Sequence, residues 1–211
     1  MNPLLIIKQL EIMPYESCYQ AMLDFTQNRT DHTPDEIWLV QHPPVYTLGQ
    51  TAKLTTKYSV TIPVVTSNRG GQITYHGLGQ AILYVLLDLS RAQCWVRDLV
   101  WGLEESVLLW LAEQGIQGHR SEYFGPGVYV RNQKIAAVGM RVRRGCTLHG
   151  LALNGPMDLT PFDAISPCGH DELRVINTEK LGISQTVDDI QWGVIHQFEK
   201  WWAHYQRTNH P

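Results

Sequence analysis

Residues 127–154 read GVYVRNQKIAAVGMRVRRGCTLHGLALN, and their reading decides the fold. The stretch divides into three apolar, β-branched runs, Gly127–Arg131, Lys134–Arg144 and Thr147–Asn154. Asn132-Gln133 and Gly145-Cys146 are the expected turns, which makes the runs an antiparallel meander. Upstream, Ala81–Leu89 is almost continuously apolar and suits a strand inside a sheet covered on at least one face. Leu4–Ile12, Ile37–Gln41, Val45–Leu48 and Ile62–Thr66 read as further strands. Helical spacing appears after Pro14 (Tyr15, Cys18, Tyr19, Met22, Phe25) and across Trp95–Gln114, which Gly115 closes as a left-handed cap. Thr186–His204 is a last amphipathic helix, with Thr186 and Asp189 at capping-box spacing. Strands grouped with intervening helices predict an α+β fold with a mixed, largely antiparallel sheet and flanking helices.

The 211 residues suit a single domain, 1–211, with a core that needs neither metal nor disulfide. A net charge of −3 supplies no basic footprint for nucleic acid. No run approaches the ~20 apolar residues that span a bilayer, and the N-terminus lacks the marks of a signal peptide. A reduced, cytoplasmic protein is the expectation. In that setting an unpaired thiol is a candidate nucleophile.

Two loops carry the candidate chemistry. In Ser166-Pro167-Cys168-Gly169-His170 a thiol sits between proline and glycine, with polar neighbours. In Arg69-Gly70-Gly71-Gln72-Ile73-Thr74-Tyr75-His76-Gly77, glycines allow a ligand close to the main chain and free amides for an oxyanion. No phosphate-loop pattern is present. A thiol of pKa ~8.5 needs an activator. His76, His149 and His170 are candidates; so is Lys134, which heads an apolar run that could desolvate it. The plainer readings are a buried loop cysteine and a turn lysine with its ammonium in water. Cys18 and Cys94 fall in helical stretches and read as core. Strand alternation places Cys146 and His149 on opposite faces, against a direct dyad. Cys146, Cys168, His76 and His149 show no zinc-type spacing, so no metal is expected. Residue chemistry by itself reaches cysteine-dependent acyl transfer.

Four segments, 69–80, 127–139, 143–154 and 166–169, together resemble the lipoyl(octanoyl) transferase family of lipoate biosynthesis, in that family's order. Leu78 departs from it, standing where the family usually has proline. The resemblance implies the catalytic-domain fold shared with lipoate and biotin protein ligases. It implies that Cys168 carries an acyl-thioester and that Lys134 lowers the thiol pKa and shuttles protons. It further implies substrate contacts from Arg69, Gly70, Gly71, Gln72, Ile73, Thr74, Tyr75 and His76, from Ala137, Val138 and Gly139, and from Gly150, Leu151 and Ala152. No cofactor is implied, the acyl group arriving on the phosphopantetheine of acyl carrier protein. The implied acceptors are lipoyl domains of 2-oxoacid dehydrogenase E2 subunits and the glycine cleavage H protein, with neither nucleic acid nor membrane as partner. Arg141, Arg143 and Arg144 are candidates for docking an acidic carrier. An ATP-dependent ligase of the same fold, a non-catalytic carrier-binding module and a cysteine hydrolase are the competing readings.

Overall fold

The computed structural model describes residues 5–52, 61–165 and 172–209; Leu4 and the whole Ser166–His170 loop, Cys168 included, lie outside the described residues. Among the described residues ten strands and three α-helices follow in the order β1 (Leu5–Ile12), α1 (Tyr15–Gln27), β2 (Asp35–Gln41), β3 (Val45–Leu48), β4 (Val64–Thr66), β5 (Ile73–His76), β6 (Gln80–Leu86), α2 (Val96–Glu113), β7 (Gly127–Val130), β8 (Gln133–Arg143), β9 (Cys146–Asn154), β10 (Arg174–Val175) and α3 (Val187–Asn209). The main sheet runs β1-β2-β6-β9-β8-β10, with β7 also on β8; β4-β3-β5 form a second, smaller sheet. Among the described strands only β1–β2, β8–β10 and β3–β4 pair in parallel, so the fold is α+β and mostly antiparallel, as the meander predicts.

The β6 run is buried along its whole length. Its odd residues, Ala81, Leu83 and Val85, join the core under α2 and α3. Its even residues, Ile82, Tyr84 and Leu86, face α1. Both faces are therefore covered, which is why the run shows no polar alternation. A third core, around Tyr46, Tyr75 and Phe162, sits under the small sheet.

Turn chemistry shifts the expected loops by one residue. Val130 pairs with Gln133 and Arg143 with Cys146, so the two-residue turns are Arg131-Asn132 and Arg144-Gly145, not Asn132-Gln133 and Gly145-Cys146. All four turn residues have positive φ (51°, 61°, 52° and 76°), the demand of a tight hairpin whose twist matches its strands. The capping box holds: Thr186 Oγ1 accepts the Asp189 amide and Asp189 Oδ2 accepts the Thr186 amide, each at 3.2 Å. Gly115 ends α2 at φ 73°, with the Ile116 amide reaching back to the Leu111 carbonyl at 2.9 Å. The strand at β5 was hidden in sequence by the glycines on either side of it. The two-residue β10 was too short to show a period.

Candidate active site

A groove of about 350 Å³ runs over the face of the main sheet opposite α2 and α3, roofed by the Arg69 loop, β5 and residues 122–126. Its floor is built of small residues, Ala137 and Gly139 on β8 and Gly150 and Ala152 on β9. These pair across the ladder, Ala137 with Ala152 and Gly139 with Gly150. Side chains that short leave depth above the sheet. Ile82 and Tyr84 flank the floor from β6.

Lys134 reaches this groove because β8 carries a bulge. Val128 pairs with Ala136 but the next residue, Tyr129, pairs with Lys134, so Ile135 is one residue too many. Ile135 and Ala136 both point into the core under α2 and α3. Strict alternation would have sent Lys134 there with Ala136; the extra residue puts it on the face of Ala137 and Gly139 instead. The lysine is 3% exposed. Its Nζ donates to the carbonyls of Phe124 (3.4 Å) and Pro126 (3.3 Å) and lies 5.1 Å from the centre of the Tyr129 ring. Two carbonyls and an aromatic face hold the Nζ at the groove. Glu104 of α2 fixes the end of that loop: its Oε1 accepts the Gly127 amide at 2.7 Å and its Oε2 accepts from Arg120 at 3.1 Å. Nothing in the sequence pointed to Glu104, Phe124 or Pro126 beyond the breaker triplet Gly125-Pro126-Gly127.

A polar chain ties the lysine strand to the glycine loop. His76 Nδ1 donates to Gln80 Oε1 (2.7 Å), Gln80 Nε2 donates to Asn154 Oδ1 (3.1 Å), and Asn154 Nδ2 donates to the carbonyls of Ile176 (3.1 Å) and Lys134 (3.5 Å). With its proton on Nδ1, His76 offers Nε2 to the Thr47 hydroxyl at 3.4 Å. Burial, then the neighbouring His42, push its pKa down to about 3, with Arg69 and His149 adding to the effect. A neutral, bonded imidazole of that kind is a binding or structural group and not a general base near neutral pH.

His149 departs from the expected alternation. Its φ of 65° is left-handed, a conformation a non-glycine residue adopts at some cost, and histidine more readily than most. The turn carries its ring to the side of Leu148, where it stacks on Tyr19 at 5.4 Å and meets Tyr84 at 6.1 Å. The opposite-face argument for Cys146 and His149 therefore fails, although the two are still not partners. Cys146 Sγ donates to the Arg144 carbonyl (3.7 Å), and His149 Nε2 donates to Asn68 Oδ1 (2.7 Å). That bond leaves His149 Nδ1 as a buried acceptor with no donor among the described residues. Burial and then Arg69 lower this histidine to about 3.

The glycine loop uses its amides differently from the expectation of free oxyanion donors. The Gly70 amide donates to the Met140 carbonyl at 3.1 Å, and the Gly79 amide to Gln41 Oε1 at 2.9 Å. Gly79, at φ 90°, is required because a Cβ there would sit 2.2 Å from the Pro156 carbonyl oxygen. Arg69 is anchored by Thr47, whose carbonyl accepts at 2.6 Å and whose hydroxyl accepts at 2.9 Å. Arg69–Thr74, His76, Ala137–Gly139 and Gly150–Ala152 all line the groove. Tyr75 turns the other way, into the core with Tyr46 and Phe162.

Cys18, Cys94 and Cys146 are free and buried. Burial pushes the Cys18 thiol up to about 12 and Cys94 to about 11, and raises Cys146 as well. None of these three is a nucleophile near neutral pH. Among the described residues no cluster of three or more His, Cys, Asp or Glu side chains is placed to hold a metal ion, and no helix is long and apolar enough to cross a membrane.

The family described as the lipoyl protein ligase A/B catalytic domain matches residues 17–199. The chain belongs to that family. It is 52% identical over 185 residues to an octanoyltransferase of Dechloromonas aromatica, covering 87% of this chain and 90% of the relative. An octanoyltransferase of Yersinia pseudotuberculosis is 47% identical over 199 residues, 93% of this chain and 84% of the relative. Among solved structures, a bipartite lipoate protein ligase of Thermoplasma acidophilum superposes at a TM-score of 0.71 with 16% identity, over 97% of this chain and 84% of its own. A biotin protein ligase of Aquifex aeolicus superposes at 0.60 with 13% identity, over 96% and 72%. At such identities these two likenesses speak for the fold.

Proposed function

We propose that this acyltransferase moves an octanoyl group from acyl carrier protein to a lysine of a lipoyl domain, through a thioester on Cys168, as the first step of endogenous lipoate synthesis. The observation that carries the reading is Lys134, re-aimed by a strand bulge into a groove with a floor of alanine and glycine. The identity to octanoyltransferases supports the choice of acyl group. The raised pKa of the other three thiols supports Cys168 as the nucleophile.

In the proposed sequence the Cys168 thiolate attacks the octanoyl thioester carbonyl, and the pantetheine sulfur leaves with a proton from Lys134. The neutral amine of the acceptor lysine then attacks the octanoyl-enzyme. An amide forms, Cys168 departs as thiolate, and the proton released from nitrogen returns to Lys134, so protons balance over one turnover. Thioester exchange is close to neutral in free energy and amide formation is downhill, so ATP is not needed. The acyl tail would lie along the groove floor, where each buried methylene contributes about 0.8 kcal/mol. The proposed acceptors are lipoyl domains of 2-oxoacid dehydrogenase E2 subunits and the glycine cleavage H protein.

Intact-mass spectrometry after incubation with octanoyl carrier protein tests the route. One octanoyl added, and lost in Cys168→Ser or on mild hydroxylamine, is the expected result. Full activity of Cys168→Ser with free octanoate and ATP would replace this reading with a ligase. The docking surface is proposed at the exposed end of β8, where Arg141 donates to Gln50 Oε1 beside the roof loop at 2.9 Å. Reversing the charge of Arg141, Arg143 and Arg144 together should raise KM for the carrier several-fold and leave kcat unchanged. An unchanged KM would remove that surface.

A further inference from the structure

Gly139 stands where the fold does not require glycine. Its φ is open to any L-residue, and a Cβ built there would meet only the Gly70 carbonyl oxygen at 3.5 Å and Arg69 Cδ at 3.8 Å, both ordinary contacts. The floor glycine paired with it is different: a Cβ on Gly150 would lie 2.2 Å from the Leu83 carbonyl oxygen, so the sheet itself demands glycine at that position. Glycine at 139 therefore leaves open a part of the groove, beside the Gly70 main chain, that a side chain could enter. The Gly70 amide is bonded to the Met140 carbonyl, which draws the roof loop down across the strand at this level.

The length fits a medium acyl chain. Once the bulge is discounted, Gly139 lies four strand steps beyond Lys134, roughly 13 Å at about 3.3 Å each. An extended eight-carbon acyl chain measures roughly 9 Å with C–C bonds of about 1.5 Å. With its carbonyl beside Lys134, its terminal methyl comes level with the stretch between Ala137 and Gly139. We propose that Gly139, facing the main chain of Gly70, is the position that sets the acyl-chain length this protein accepts. The inference rests on the octanoyl-transfer reading above.

Gly139→Ala and Gly139→Val, compared with the parent for kcat/KM on hexanoyl, octanoyl and decanoyl carrier protein, test it. The larger the side chain, the further the preference should move toward hexanoyl. About fourfold in the octanoyl-to-hexanoyl ratio is expected per methylene denied its site, the equivalent of ~0.8 kcal/mol. A fall shared equally by all three lengths, or a profile unchanged in both variants, overturns the proposal. Should Gly139→Val not fold, Gly139→Ala, whose Cβ makes only ordinary contacts, decides alone. A parent protein that transfers none of the three chains overturns the octanoyl reading instead, and that outcome is separate from a failure at Gly139.

Discussion

Lys134→Ala should slow octanoyl transfer by roughly 10²–10⁴-fold, the range for removing a positioned proton-transfer group. The side chain is buried, and two carbonyls and the Tyr129 ring hold its Nζ at the groove. A unit charge 4 Å from a forming thiolate is worth about 4 kcal/mol at an effective dielectric of 20. That is about three pKa units in the thiol. The test has two readouts. Alkylation of Cys168 by iodoacetamide, followed against pH, should shift to higher pH in Lys134→Ala. Lys134→Arg should separate the roles: it keeps the charge, and with it part of the alkylation rate, but a guanidinium gives up no proton at accessible pH and amide formation should still fail. An alkylation profile identical to the parent's, with turnover within a few-fold, would remove Lys134 from the mechanism. Melting temperature follows fold integrity in both variants.

The sheet and the three helices were legible because their burial is periodic. β6 reads as buried on both faces, and α2 ends at the glycine that its cap needs. The site was legible in its residue types and much less so in its directions. Lys134 could be named from sequence, but only the extra residue at Ile135 decides which face it occupies, and one-residue slips leave no compositional mark. His149 shows the same limit from the other side: period two sends it into the core, and a single left-handed φ brings it out beside Tyr19. The glycine loop was read for free amides, whereas Gly70 and Gly79 are engaged by Met140 and Gln41 from strands far away in sequence. Partners at that separation are invisible to local pattern. Glu104 belongs to the same class, an acid on an amphipathic helix whose bond to Gly127 appears only once α2 packs beside β7.

Between pH 6.5 and about 4.5 the fold should lose stability steeply, because three buried histidines resist protonation. Burial holds His42 at about 4 against the pull of its bond to the Met13 carbonyl, and His76 and His149 stand at about 3. All three folded pKa values lie below the ordinary 6.5 of the unfolded chain. In this window the unfolded state binds more protons, so stability rises with pH and falls on acidification. Each histidine contributes up to about 1.4 kcal/mol per pH unit, and together they contribute up to about 4 kcal/mol per pH unit. A domain stable by about 5–15 kcal/mol cannot absorb that over more than a few units. Ordinary carboxylates titrate near 3.9–4.3, so the slope above pH 5 belongs to the imidazoles. Urea denaturation at half-unit steps measures it. His149→Gln, whose amide can still donate to Asn68, should reduce the slope by roughly a third. A denaturation free energy flat from pH 6.5 to 4.5 would show that these rings are protonated, or exposed, in the folded state. The same neutrality constrains the chemistry. Because His76 and His149 carry no charge near neutral pH, the limbs of the kcat/KM profile between pH 6 and 9 do not come from them, and substituting either histidine should change the height of that profile without moving its midpoints.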